Sequence, residues 1–155
     1  MTAYKRTQTS LLILLITVPL FLFFAYMALT SSRTQGPFLF FTLLVAAVMA
    51  TFATLTVEVS PEVVGLRFGI GLLRKTIPLT DILNLKPERI PVFLSWGIRP
   101  YGNGWIYSVA GFDAVEIEMR NGKMIWIGTN DPEVLSRAIE DALMGMRAKK
   151  LAPAR

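Results

Sequence analysis

Residues 11–29, LLILLITVPLFLFFAYMAL, decide how the rest of the chain is read. These 19 residues carry no charge, and 17 of them are apolar. A second uncharged run of 19 follows at residues 37–55, PFLFFTLLVAAVMATFATL, with 15 apolar residues. At about 1.5 Å of rise per residue, either run as a helix covers nearly 30 Å, the thickness of a bilayer hydrocarbon core. The whole chain of 155 residues is 53% hydrophobic. Without the two runs, the remaining 117 residues are roughly 43% apolar, ordinary for a folded soluble domain. The composition therefore predicts a membrane anchor carrying one small domain.

Missing residue types exclude several chemistries. With no Cys and no His there is no zinc-finger ligand set, no Cys or Ser–His nucleophile and no haem ligation through His. The net charge of +5 does not make a nucleic-acid surface, because between residues 56 and 146 there are 9 basic and 11 acidic residues. The excess sits instead at Lys5 and Arg6 and in the tail at Arg147, Lys149, Lys150 and Arg155. The first apolar run is longer than the h-region of a cleaved signal peptide, so it is expected to be retained. Only residues 30–36 separate the two runs, a spacing that suits a helical hairpin. Lys5, Arg6, Arg67, Arg74 and Lys75 flank the outer ends of the pair, against Arg33 alone in the loop. The positive-inside rule then places both termini in the cytoplasm of a multi-pass inner-membrane protein. Neither run holds an ionisable side chain, so the pair reads as an anchor rather than a transport path.

Past residue 55 the pattern changes to short β-type runs. Leu55, Val57 and Val59 alternate with polar residues, and Val64, Leu66 and Phe68 share a face of the next strand. Gly69-Ile70-Gly71 reads as a hairpin loop, with further strands at 72–77, 82–86 and 105–109. Val115, Ile117 and Met119 alternate up to Asn121-Gly122, a strong hairpin signal, and 123–128 returns. Asp131-Pro132-Glu133 opens a helix with an apolar stripe of Val134, Leu135, Ala138, Ile139, Ala142, Leu143 and Met146. That stripe is expected to cover the sheet. An amphipathic helix lying on the membrane surface is the other reading.

Seven strands and one C-terminal helix in about 90 residues is the order of a pleckstrin-homology-type barrel. The run Arg67-Phe68-Gly69-Ile70-Gly71 through Ile77-Pro78-Leu79-Thr80-Asp81-Ile82 resembles the signature of bacterial PH-domain proteins. Trp96-Gly97-Ile98-Arg99, Gly104-Trp105-x-Tyr107 and Ile127–Pro132 are similar to that family as well. The resemblance implies a binding or assembly module without catalysis.

Candidate binding residues form two groups. Trp96, Arg99, Tyr101 and Trp105 lie in a Gly-rich aromatic bend, where Arg99 suits a phosphate or carboxylate, or an internal partner such as Asp113. The bend lacks the Gly-Lys-Ser/Thr and the following helix of a P-loop. Arg67, Arg74 and Lys75 cluster around the Gly69–Gly71 hairpin and suit an anionic leaflet. The Ser60-Pro61-Glu62 turn is short and acidic, unlike the basic first loop through which phosphoinositide-binding PH domains act. Residues 90–96 (IPVFLSW) read as a lid over the core, or as a segment touching the bilayer or a neighbouring subunit. No carboxylate stands in a motif with a nucleophile or metal partner, so no enzyme, metal site or cofactor is expected.

The expectation is thus an α+β chain: a cytoplasmic N-terminus over 1–10, a transmembrane hairpin over 11–55, a seven-stranded PH-like barrel or sandwich with a C-terminal helix over 56–147, and a basic tail over 148–155. Its expected role is protein–protein interaction or oligomerisation at the cytoplasmic face. Sensing of an anionic lipid headgroup is the alternative, and nucleic acid is excluded as a partner.

Overall fold

The computed structural model describes residues 4–31, 35–91, 97–109 and 111–151. The chain is α+β, and its elements run β1 (Tyr4–Thr9), α1 (Leu11–Thr30), α2 (Gln35–Phe52), β2 (Thr54–Val59), β3 (Val63–Phe68) and β4 (Leu73–Pro78). After a 3-10 turn at Leu79–Asp81 come β5 (Ile82–Arg89), β6 (Gly97–Tyr101), β7 (Gly104–Ser108), β8 (Asp113–Met119), β9 (Met124–Gly128) and α3 (Pro132–Leu151). Two sheets result, ordered β1-β2-β3-β4 and β5-β8-β9-β7-β6, with no ladder joining them among the described residues. The sequence alone predicts seven strands in a barrel or sandwich. The described residues form nine strands in two sheets that do not close on each other.

Both additional strands have a physical explanation. β1 alternates only weakly in hydrophobicity, yet it pairs with β2 from Tyr4↔Val59 to Thr9↔Thr54. Its Gln8 is buried, and Nε2 donates to the carbonyl of Gly128 at 3.0 Å. The stretch before the first span is therefore the edge strand of the first sheet. β6 pairs with β7 from Gly97↔Ser108 to Tyr101↔Gly104, turning the supposed bend into a hairpin. Pro100 hid it. Pro cannot donate to a ladder, but β6 is an edge strand, where that loss is tolerated, and Pro87 sits on the opposite edge strand β5.

The two helices interrupt a pair of neighbouring strands. Ser10 caps α1, its hydroxyl accepting from the Ile13 N–H at 3.3 Å, while its own N–H donates to the Ala53 carbonyl at 2.8 Å. The ladder thus runs directly into the helical pair. Both helices are long and apolar enough to cross a membrane, and only 11% of each apolar window is buried within the chain. A core helix would be covered. Here Leu15, Leu22, Phe23, Phe40 and Leu43 face outward. Phe24 stacks on Phe41 with ring centres 5.3 Å apart. Thr17, Thr42 and Thr51 each turn their hydroxyl onto the carbonyl four residues back, so no hydroxyl of these three is left without a partner in an apolar setting. The second helix ends at Phe52 rather than at residue 55, because Leu55 belongs to the core of the β domain.

That core joins Leu55, Val57, Val64, Leu66, Phe68 and Ile77 of the first sheet to Val115, Ile117 and Ile127 of the second. Leu135, Ile139 and Leu143 of α3 complete it, so the helix covers the sheets as expected. Val134, placed in the apolar stripe by spacing, is instead half exposed. Asp131 takes the N-cap position, its carbonyl accepting from Leu135 N–H at 3.1 Å, and its carboxylate pairs with Arg6 of β1. Asn121-Gly122 closes the β8–β9 hairpin, with Gly122 at φ +77° and Lys123 N–H bonded to the Asn121 side chain at 3.0 Å.

The buried bond from Gln8 gives a direct test of β1. Gln8→Ala removes the donor to Gly128 and leaves a buried carbonyl unsatisfied, at a cost of about 1–3 kcal/mol. A thermal melt of the full chain in detergent is expected to show the loss. An unchanged midpoint would mean that β1 contributes nothing to the domain.

Candidate functional site

The separation of the two sheets leaves a seam along β4. Among the described residues this strand pairs only with β3, and Leu73, Arg74, Lys75 and Thr76 are all exposed along it. Across from it stand β7 and the start of β9. Between them lies a cleft of about 560 Å³ lined by Lys75, Ile77, Gly104, Trp105, Tyr107 and Met124 among others. A second recess of about 290 Å³ adjoins it, sharing Lys75, Trp105 and Tyr107 and adding Phe68, Leu73, Arg74 and Ile98.

Each wall follows from local sequence. In the β6–β7 ladder Ile98 stands opposite Tyr107, which places both toward β4. Gly104 is required at the floor. A Cβ there would overlap the Met124 backbone, which β7 meets in parallel register. Tyr107 is buried beside Phe68, with ring centres 6.4 Å apart, and burial raises its hydroxyl above the usual pKa of 10.0. It remains a neutral donor and acceptor at physiological pH. Because the folded-state value is the raised one, its stabilising effect is complete below the unfolded value and fades as pH climbs through the folded one. Spectroscopic titration of the full chain is expected to show a tyrosine ionisation step above the ordinary range, and Tyr107→Phe should remove it.

The predicted site residues that the structure describes divide among four places. Trp105, Arg74 and Lys75 meet at the seam, although they came from separate groups in the sequence. Arg99 is elsewhere. With Gly97 and Ile98 it forms one wall of a groove of about 380 Å³, whose other wall is Ile13, Ile16 and Thr17 of α1 with Val48 and Phe52 of α2. Tyr101 packs edge-on against Trp126 at 5.0 Å, at the rim of a small second core of Ile90, Ile106, Ala114 and Trp126. Arg67 lies directly opposite Arg74 in the β3–β4 ladder, facing away from the core. Trp96 falls outside the described residues, as does most of the 90–96 run. The carboxylate of Asp113, considered as a partner for Arg99, accepts from Arg89 Nε at 3.2 Å. Sequence reasoning passed over Phe68, Leu73, Thr76 and Tyr107. For Leu73 and Thr76 the available signal was the broken alternation across residues 72–77, whereas Phe68 and Tyr107 read only as core.

An apolar, cation-edged seam beside an unpaired strand edge can accept an extended chain. The strand edge offers main-chain hydrogen bonds and the recesses take side chains. Neither the family models nor the curated proteins with which the chain was compared contain a match to it.

Proposed function

We propose that this chain is a membrane-anchored, non-catalytic binding module of PH-like build, which takes an extended segment of a protein partner onto the free edge of β4. The seam between β4 and β7 carries this reading. Among the described residues it offers an open strand edge, apolar recesses at Phe68, Ile98 and Trp105, and a cation at Lys75. A partner segment that alternates apolar and acidic residues suits it. The PH-like assignment is supported by the order of elements, with a sheet of consecutive hairpins, a second sheet and a closing C-terminal helix, together with the quoted motifs. The two exposed apolar helices support anchoring, and the basic residues flanking them favour cytoplasmic termini.

A photo-crosslinking amino acid at Thr76, exposed on β4, tests the proposal in native membranes, with Asn84 on β5 as the reference position. The expected result is a discrete adduct from Thr76 and none from Asn84. Lys75→Glu combined with Trp105→Ser should abolish it while leaving the thermal midpoint nearly unchanged. An adduct of twice the chain's mass identifies a second copy as the partner. Equal, diffuse labelling from both positions would contradict the proposal.

A second reading rests on Arg99. Its groove against α1 and α2 has the arrangement for a lipid, with an apolar wall for the chain and a guanidinium for a headgroup phosphate. On that reading Arg99→Gln lowers retention of anionic lipid by the purified full chain, whereas Lys75→Glu does not.

A further inference from the structure

The β3–β4 loop is bonded to the apolar helical pair. Ile70 N–H donates to the carbonyl of Ala50 at 3.0 Å, two residues before the last residue of α2. Gly69, at φ +49°, packs so closely there that a Cβ would overlap the Ala50 carbonyl oxygen. Arg74 Nε holds the loop from the other side by donating to the Gly71 carbonyl at 2.8 Å. The loop is therefore fixed against the helix end, and it carries outward two large apolar side chains. Ile70 is 73% exposed and Leu72 is 69% exposed, values that among the described large apolar residues are matched only on the helical pair itself. Just behind them Arg67 and Arg74 face each other across the ladder. Like charges directly opposite on one sheet face are unfavourable unless an anion lies between or above them.

We infer that the β3–β4 loop is a second membrane contact, with Ile70 and Leu72 inserted at the headgroup–acyl boundary and Arg67 and Arg74 on lipid phosphates. The occupant is the bilayer itself. The loop is bonded to α2 one helical turn or less from its end, so a membrane that surrounds the helix meets the loop as well. Apolar tips backed by cations are the pattern of interfacial insertion. With β1 and β2 running straight into α1 and α2, this second contact fixes the tilt of the domain and turns the β4 seam to a set height above the surface. The inference rests on the reading of α1 and α2 as a membrane anchor.

The chain has no Cys, so single cysteines report cleanly. An environment-sensitive fluorophore is placed at Ile70→Cys, Leu72→Cys, Leu22→Cys on α1 or Glu62→Cys at the opposite end of β3, in the full chain. Each variant is reconstituted into phosphatidylcholine–phosphatidylglycerol vesicles with and without a spin-labelled quencher lipid. Labels at 70 and 72 are expected to emit blue-shifted and to lose intensity with the quencher, as the label at 22 does, while that at 62 does neither. Quenching at 22 with water-like emission at 70 and 72 would overturn the loop contact and leave the anchor standing. No quenching at 22 would overturn both. A blue shift at 70 and 72 without quenching would mean that protein covers the loop, again contradicting insertion.

Discussion

Ile139→Asp is expected to unfold the β domain or to lower its stability by about 4 kcal/mol or more, because it buries a charge that no neighbour can pair. Ile139 is fully buried on α3, among Leu135 and Leu143 and the inner faces of both sheets. The large expected effect separates a helix that closes the core from one that lies on a membrane surface. An interfacial helix would lose membrane affinity with the domain still folded. The check is a thermal or denaturant melt of the full chain in detergent, followed through near-ultraviolet dichroism of the tryptophans. An unchanged transition would remove α3 from the core.

Gly104→Ala is the second large effect, and it acts through the backbone. At this position β7 and β9 run parallel with Gly104 beside Met124, and any Cβ meets the Met124 carbonyl, its carbon and its nitrogen together. Backbone cannot rotate away as a side chain can, so the strands must part. Overpacking of this kind costs about 3 kcal/mol or more and opens the floor of the cleft. Gly122→Ala makes the comparison informative, since that glycine has open space around it and only its φ of +77° is at stake. The Gly104 variant should melt well below the Gly122 variant. The opposite order would mean that the β7–β9 register is not the one described.

Much of the fold was legible because burial leaves a periodic trace. The alternation at 55–59, 64–68 and 115–119 and most of the stripe on α3 correspond to buried faces, and the Asn121-Gly122 turn to a glycine at positive φ. Where a segment contributes few apolar side chains, the trace fades. β1 is held by its ladder to β2, by Gln8 and by the Arg6–Asp131 pair, none of which has a hydrophobic period. β6 was obscured by Pro100 and by glycines that signal turns as readily as edge strands. The site was half legible for a related reason. Composition marks Arg74, Lys75 and Trp105 as candidates, but only the packing of β7 against β9 brings Trp105 beside β4. Arg99 drew attention as an arginine among aromatics. Its position against Ile13 and Val48 depends on a contact between strand and helices that no local pattern encodes.

The proposed function stands on one proposed arrangement, in which α1 and α2 cross the membrane and both flanks of the hairpin, paired as β1 and β2, lie on the cytoplasmic side. Cysteine accessibility in intact cells measures it most directly. Arg137→Cys, exposed on α3, and Ser31→Cys, at the end of α1, are each treated with an impermeant maleimide before and after permeabilisation. The account predicts that Ser31→Cys reacts in intact cells, and that Arg137→Cys reacts only once the membrane is opened. Labelling of Arg137→Cys in intact cells, or recovery of the chain in the soluble fraction, would contradict it.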